Sequence, residues 1–358
     1  MAKVFVGMSG GVDSSVAASL LVEQGHDVTG VYMKNWSEDL PGMHCPWAED
    51  VADAKRVAVG LGIDFKVFDF QKEYKQRVVD YMISEYKLGR TPNPDIMCNQ
   101  EVKFKLFLDT ALDQGAEIIA TGHYARVDNR SSANARLLRA KDENKDQTYF
   151  LYRVTSEALD KTLCPLGDYT KPEVRQMAQE RNLWTATKKE SMGICFVGQV
   201  GMREFLSEYV ETVPGDIIDE QTGKTVGRHD GAIFYTLGQR HGINIGGGLP
   251  YYVVGKDMAK NEVYVSRRLD SQELWRTELN LTDVHWICDQ PAGGEYQIRV
   301  RHRAPLVSAQ LRTGENTAHL TLSEPQRAVT PGQSVVIYDG EVCLGGGIVQ
   351  TDLTSIRK

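Results

Sequence analysis

Apolar positions in the first third of the chain come in short runs separated by longer amphipathic stretches. Residues 4–6, 27–33, 65–70 and 116–123 read as strands. Between them lie four stretches with helical spacing: 16–22, one carrying Ala52, Ala54, Val57 and Ala58, one over 72–88 and one over 102–112. Strand–helix alternation of this kind predicts an α/β domain with a parallel sheet covered on both faces. Ligands in such sheets sit at the carboxyl ends of the strands. Residues 126–145 read as a polar hairpin, and 146–181 as helical, with Thr170 and Glu173 forming a capping box and Pro172 in the first turn. Past residue 201 the pattern changes to short strands and turns, with Asp339-Gly340 as a hairpin signal. The 358 residues are too many for one core. The expected division is an α/β domain over 1–200, a small mixed domain over 201–275 and a C-terminal β-barrel over 276–358.

The first strand runs into Gly7-Met8-Ser9-Gly10-Gly11-Val12-Asp13-Ser14-Ser15, and the first helix follows at once. Glycines let the backbone turn sharply and approach a ligand closely, and the free N–H groups of a first helical turn favour an anion, phosphate above all. Ser9, Ser14 and Ser15 add hydroxyl donors. Asp13 would repel phosphate unless a cation intervened, so it reads as a position near bound Mg²⁺. No Lys stands between Val4 and Glu23, so this is not the P-loop that ends Gly-Lys-Ser/Thr. An ordinary strand-to-helix turn with serine caps is the simpler alternative. The string Ser-Gly-Gly-Val-Asp-Ser-Ser resembles the pyrophosphate loop of the ATP pyrophosphatase family, which implies cleavage of ATP between its α- and β-phosphates. Met33 and Gly122 fall at the ends of two other strands, so three segments converge on one crevice.

Composition adds exclusions. The chain is 41% hydrophobic and 25% charged, with no apolar run of membrane length and no visible leader, which reads as a cytoplasmic, monomeric enzyme. Six cysteines with no C-x-x-C pair give neither a zinc site nor a disulfide scaffold. A net charge of −7 argues against wholesale nucleic-acid binding. It leaves room for local basic faces, and two are visible: Arg299, Arg301, Arg303 and Arg312 in a span without Asp or Glu, and Arg136, Arg139, Lys141 and Lys145.

Two further stretches carry chemistry. In Thr91-Pro92-Asn93-Pro94-Asp95-Ile96-Met97-Cys98-Asn99, prolines spaced by one residue are expected to exclude helix and form a stiff loop presenting Asn93, Asp95 and Cys98. In Glu190-Ser191-Met192-Gly193-Ile194-Cys195-Phe196, a thiol lies near Lys188 and Lys189, whose charge would favour thiolate. Either thiol could equally be a buried core cysteine. They stand 97 positions apart (195 − 98), and the sequence does not bring them together.

Taken with Gly-Arg-Thr-Pro-Asn-Pro-Asp-Ile-Met-Cys-Asn, Ala-Thr-Gly-His-Tyr, Asn-Lys-Asp-Gln-Thr-Tyr-Phe-Leu, Gly-Ile-Cys-Phe, Tyr-Thr-Leu-Gly-Gln-Arg and Thr-Pro-Gly-Gln-Ser in this order, the loop makes nearly the whole chain resemble the bacterial tRNA-specific 2-thiouridylase family. The resemblance implies an ATP site at Gly7, Met8, Ser9, Gly10, Gly11, Val12, Asp13, Ser14, Met33 and Gly122. It implies adenylation of the C2 oxygen of the wobble uridine in tRNAs for Lys, Glu and Gln. Sulfur would arrive as a persulfide on Cys195, from a cysteine desulfurase or a relay protein. Cys98 would be the partner nucleophile that closes a disulfide with Cys195, and Asp95 the acid/base. Asn93, Pro94 and Asp95 would frame the target base, and His123, Lys145, Asp146, Gln147, Arg301, His302 and Gln333 would contact tRNA. The chemistry asks for such groups independently. A pyrimidine C2 carbonyl needs its oxygen turned into a leaving group, and a sulfur bound to the enzyme through an S–S link needs a second thiol to release it. Two other classes remain open at this stage. One is a ligase or amidotransferase with the same ATP loop and no reactive cysteine, and the other a nucleotide-binding module without chemistry.

Overall fold

The computed structural model describes residues 1–39, 45–129, 134–189, 201–243, 245–246, 250–268 and 274–350. The N-terminal unit starts with β1 (Lys3–Gly7), α1 (Val12–Glu23), β2 (Asp27–Lys34), α2 (Trp47–Leu61) and β3 (Asp64–Asp69). Two long helical runs follow, α3 over 71–87 and α4 over 94–113, each containing a π-helical stretch, and then β4 (Ile118–Ala120). A hairpin of β5 (Arg126–Asp128) and β6 (Arg136–Leu138) leads into short helices α5 (Thr148–Leu151) and α6 (Ser156–Asp160), then β7 (Thr162–Leu163) and α7 (Lys171–Glu180). The sheet order is β3-β2-β1-β4-β7, and every pairing in it is parallel.

Period-two alternation in β1 explains how both faces are filled. Val4 and Val6 pack with Val16, Leu20, Ala58 and Val174 on one side, while Phe5 packs with Phe68, Phe107 and Ile119 on the other. Helix α1 is buried on almost every side, from Ser14 to Leu21, which is why its small and apolar residues are spread around it and it is not amphipathic. The segment expected as a stiff loop at 91–99 differs. Only its first half is extended. Pro94 occupies the first helical position, where its missing N–H costs nothing, and the Asn93 side chain accepts from the Asp95 and Ile96 amides. Asp95 and Cys98 therefore ride on α4 and not on a loop.

The middle unit has α8 (Met202–Ser207) and a four-stranded sheet of β8 (Gly215–Asp219), β9 (Thr225–His229), β10 (Tyr252–Asp257) and β11 (Glu262–Ser266), in the order β10-β11-β8-β9. Ile217, Val253, Val263 and Val265 are its core. The last unit runs from β12 (Trp275–Trp286) through β13 (Gly294–Arg299), β14 (Val307–Gly314), β15 (Thr317–Arg327) and β16 (Ser334–Asp339) to β17 (Val342–Val349). The order β12-β15-β14-β13-β16-β17 closes through β12–β17 pairing into a six-stranded barrel. The hairpin β5–β6 belongs to this sheet too, through Leu137 opposite Cys343 and Leu138 opposite Val342.

A buried ion pair fastens the barrel to the first unit. Arg299 Nη1 donates to Asp146 Oδ2 at 2.9 Å, with the two side chains 5% and 0% exposed. Thr148 Oγ1 and the Ala140 amide also donate to the Asp146 carboxylate, and Tyr338 lies under the guanidinium. Tyr149 and Tyr152 reach Ser334 alongside. Removing one partner of such a pair strands a buried charge. Asp146→Asn is expected to lower stability by about 3–5 kcal/mol in urea unfolding; a loss under ~1 kcal/mol would mean the pair is dispensable.

Candidate active site

The glycine loop closes where three strand ends meet. A Cβ on Gly7 would lie 3.0 Å from Met33 Cε. Gly10 has φ +72°, and a Cβ there would fall 2.3 Å from the Asp50 carbonyl oxygen, so only glycine fits. Gly11, extended, precedes α1, and both Ser14 Oγ and Ser15 Oγ donate to its carbonyl. Ser14 Oγ also accepts from the Ser9 amide at 3.2 Å. Gly122 completes the crevice, since a Cβ there would sit 2.8 Å from Ser14 N. The fold thus brings together Gly7, Ser9, Gly10, Gly11, Ser14, Met33 and Gly122. Met8 and Val12 turn their side chains into the core. Ser15 is fully buried against Thr185 and presents nothing to the crevice.

Asp13 has an unexpected partner. Lys171 Nζ donates to both of its carboxylate oxygens, at 2.7 and 2.8 Å, and Tyr124 Oη donates to Oδ1 at 2.9 Å. The cation beside Asp13 is thus a buried lysine from α7, 158 positions away in sequence. The carboxylate is already neutralised by that lysine. Among the described residues no group of three or more His, Cys, Asp or Glu could hold a metal ion. A signal for Lys171 did exist in the sequence. It follows the cap residue Thr170, at the positive end of a helix, where a lysine is unfavourable unless an anion lies in front of it.

On α4, Asp95 and Cys98 are three residues apart and share a face. Burial pushes the Asp95 carboxyl above its ordinary range, and the Lys103 ammonium pulls it partly back. His123, the residue after Gly122, is buried. Its Nδ1 lies 2.9 Å from Thr121 Oγ1, and its ring packs on Phe104. Burial first, and Lys103 second, hold its pKa well below the usual imidazole value. Lys103, which no motif marked, therefore stands within electrostatic reach of both Asp95 and His123. Cys98 is 2% exposed. The other two units both pin the residues just before this helix. The Thr91 amide donates to the Pro331 carbonyl, Thr91 Oγ1 lies 3.4 Å from Thr236 Oγ1, and Gly332 presses against Arg90 and Thr91.

The residues expected to face RNA divide. Asn99 Nδ2 donates to the Phe150 carbonyl, and the Phe150 ring lies 4.5 Å from His302, so α4 is joined to Arg301 and His302. Arg301 is exposed, with one long bond to the Arg327 carbonyl. Burial drives the His302 pKa down to about 4, so it meets a partner as a neutral ring. Gln333 caps its own turn by accepting from Thr330 N. Gln147 clasps Tyr124, its Oε1 accepting from the Tyr124 amide and its own amide donating back. The Lys145 amide is held by Asp142. The Asp146 carboxylate is sealed inside the pair with Arg299 and is not itself open to RNA. That also removes Arg299 from the basic face. In the other basic cluster, Arg136 pairs with Asp128, Arg139 with Glu143 and Lys141 with Glu173. Cys195, with Glu190 to Phe196 around it, lies outside the described residues. No described helix is long and apolar enough to cross a membrane.

Three family models match in succession: a tRNA methyl transferase HUP domain over residues 2–199, a tRNA methyl transferase PRC-barrel domain over 203–267 and an aminomethyltransferase beta-barrel domain over 276–349. A Bacillus subtilis protein named tRNA-specific 2-thiouridylase MnmA is 48% identical over 353 residues, covering 97% of this chain and 94% of its own length. A Neisseria meningitidis protein of the same name is 49% identical over 351 residues, covering 97% and 95%. Among solved structures, a 4-thiouridine synthetase–RNA complex with bound ATP aligns at TM-score 0.39 and 18% identity, over 58% of this chain and 50% of its own. NMN synthetase from Francisella tularensis aligns at TM-score 0.36 and 17% identity, over 57% and 71%. Identity near one half over almost the full length of both chains settles the kinship: the chain belongs to the tRNA-specific 2-thiouridylase family.

Proposed function

We propose that the protein is an ATP-dependent tRNA 2-thiouridylase acting on the wobble uridine. One juxtaposition carries the reading. Gly122 meets the glycine loop, and the ring of the next residue, His123, packs on Phe104 of α4, the helix that carries Asp95 and Cys98. The end of β4 thus links a nucleotide cradle to the helix that carries the half-buried Asp95 and the buried Cys98. The first-turn N–H groups of α1 suit the phosphates of ATP, and Met33 suits the base or ribose side of the crevice. Mg²⁺ then belongs with the nucleotide's phosphates and not with Asp13. The neutral His302 and the exposed Arg301 suit a base edge and a phosphate respectively. The two halves of the α4 entry, Asn93 and Pro94, suit the wall against which a flipped base rests.

The steps balance as follows. Asp95 takes the proton from uridine N3 as the C2 oxygen attacks the α-phosphorus and pyrophosphate leaves. The outer sulfur of a Cys195 persulfide, supplied by a cysteine desulfurase or a relay protein, attacks C2, and AMP leaves with that oxygen. The Cys98 thiolate then attacks Cys195 Sγ. A disulfide forms, the electron pair of the broken S–S bond stays on the product sulfur, Asp95 returns its proton to N3, and 2-thiouridine departs. An external dithiol must reduce the disulfide before the next turnover. Cys98 is buried, so this last step needs an opening around α4. The work belongs where tRNA is matured, in the cytoplasm, and needs one copy of the chain.

The deciding experiment is mass spectrometry of nucleosides from tRNA incubated with the protein, ATP and a persulfide source. 2-Thiouridine with equimolar AMP is expected. A methylated uridine, or AMP formed equally without tRNA, would overturn the reading. Three variants check its parts. Gly122→Ala should weaken ATP binding by more than about tenfold, roughly the 1.4 kcal/mol of a modest clash, as read by calorimetry. Arg301→Ala should reduce the salt slope of tRNA binding by about one; an unaltered slope would take this strand off the RNA. The rate should fall with falling pH through an Asp95 pKa above the ordinary value of about 3.9. Lys103→Met should move that limb to higher pH, since losing the cation disfavours the carboxylate, and a limb that stays put would separate Lys103 from Asp95.

A further inference from the structure

A row of three side chains at the end of β4 sets the state of His123. Its Nδ1 lies 2.9 Å from Thr121 Oγ1, and that oxygen lies 3.8 Å from Cys164 Sγ, within reach of a sulfur hydrogen bond. The backbone fixes the row. The Thr121 amide donates to the Leu163 carbonyl, so Thr121 and Cys164 stand at the adjoining ends of β4 and β7. Thr121 is 3% exposed and His123 8%. The other ring nitrogen of His123, Nε2, has no hydrogen-bond partner among the described residues. In His229 and His285 an unpartnered Nε2 is sealed in the interior; in His123 it is not, so a ligand can reach it.

The protons along the row have one favourable order. Burial pushes the Cys164 thiol pKa up to about 11, with the Thr121 bond pulling it partly back, so the thiol keeps its proton. Sulfur is a weak acceptor. Cys164 therefore donates S–H to Thr121 Oγ1, and the hydroxyl proton turns to His123 Nδ1. Burial also keeps the imidazole neutral. A neutral ring whose Nδ1 accepts carries its proton on Nε2. The reverse order would spend the hydroxyl proton on sulfur, the poorer acceptor.

We propose that Thr121 and Cys164 are positioning residues that fix His123 as the tautomer with its proton on Nε2, so that this nitrogen donates to an oxygen of the reacting groups. The donor's use rests on the thiouridylase reading. Gly122, just before the ring, closes against the glycine loop, and the ring itself packs on Phe104 of α4. His123 thus stands between the nucleotide cradle and the helix of Asp95 and Cys98, where the oxygen–phosphorus bond would form. A fixed neutral donor stabilises charge developing on such an oxygen and keeps its own proton, so the proton balance of the reaction is unchanged. A ring protonated on Nδ1 would turn a lone pair to the same oxygen and repel it.

The test reads the tautomer directly, from long-range proton–nitrogen NMR correlations of protein carrying isotope-labelled histidine, with His123 identified as the signal lost in His123→Gln. Wild type should carry the proton on Nε2. Thr121→Val keeps the shape and removes the hydroxyl; it should lower the ratio of Nε2–H to Nδ1–H at least about twofold, the least that a lost hydrogen bond gives. It should also lower kcat for 2-thiouridine at least about tenfold, short of the ~10²–10³ for deleting a donor outright, with the KM for ATP within about twofold. Thr121→Ser should restore both readings, and Cys164→Ala should move the ratio in the same direction by less. With α,β-methylene ATP alone, a shifted Nε2 signal assigns the donor to the α-phosphate; a shift that needs tRNA as well assigns it to the pyrimidine carbonyl. No shift with either, a wild-type ring protonated on Nδ1, or an unaltered kcat in Thr121→Val overturns the proposal and leaves the thiouridylase reading standing. A wild type that makes no 2-thiouridine removes that reading and the donor's role with it.

Discussion

Everything at the site depends on how closely β4 approaches the start of α1. With Gly122 set against the backbone of Asp13 and Ser14, a single methyl group would not fit between them. That approach fixes the glycine loop from below and places His123 beside the π-helical stretch that carries Lys103. A parallel sheet makes it possible, because β1 and β4 are neighbours with their carboxyl ends on the same edge. Chain segments more than a hundred residues apart then share one crevice without any element bending to reach it.

The α/β half of the fold was legible because its signals are local. Period-two apolar runs marked β1 to β4, and the Thr170–Glu173 capping box marked the start of α7. The loop glycines were legible for the same reason, since each answers a backbone demand within a few residues. What the sequence could not supply were partners distant along the chain. Lys171 is invisible as the cation of Asp13 until α7 folds back on α1. Asp146 and Arg299 look like two surface charges until the barrel closes over them. The β5–β6 hairpin looks self-contained until Leu137 pairs with Cys343 in the last strand. The misreading of 91–99 had a different source. Proline was weighed as a helix breaker throughout, although at the first position of a helix it is favoured, and Asn93 immediately before it was a cap in plain view.

The barrel is more than an appendage. Its Pro331 carbonyl holds Thr91, three residues ahead of the α4 start, and Thr236 of the middle unit touches the same threonine. The Asp146–Arg299 pair sets the barrel against the turn from which Gln147 clasps Tyr124. A shift of the barrel would therefore be felt both at the entry of α4 and at the Asp13 end of the glycine loop. Burying an ion pair here costs desolvation that a hydrophobic contact would not. What it provides in exchange is register, because a guanidinium seated on one carboxylate and one tyrosine ring tolerates little sliding.

In the mechanism proposed above, burial of Cys98 would give the chemistry an order. A thiol beneath the α4 surface is shielded from solutes that would otherwise oxidise or alkylate it, and it is equally shielded from the sulfur it must eventually meet. Asp95, on the same face but only half-buried, is reachable first. Proton removal and adenylation can therefore proceed while Cys98 stays covered, and the exchange that frees the product waits for the helix surroundings to open. If the thiol were exposed from the outset, it could attack the inner sulfur of the incoming persulfide before the uridine was activated, closing the disulfide and losing the outer sulfur as hydrogen sulfide with no product formed. On that proposed mechanism, a carboxyl and a thiol one helical turn apart, at different depths, would separate the two steps in time with no additional part.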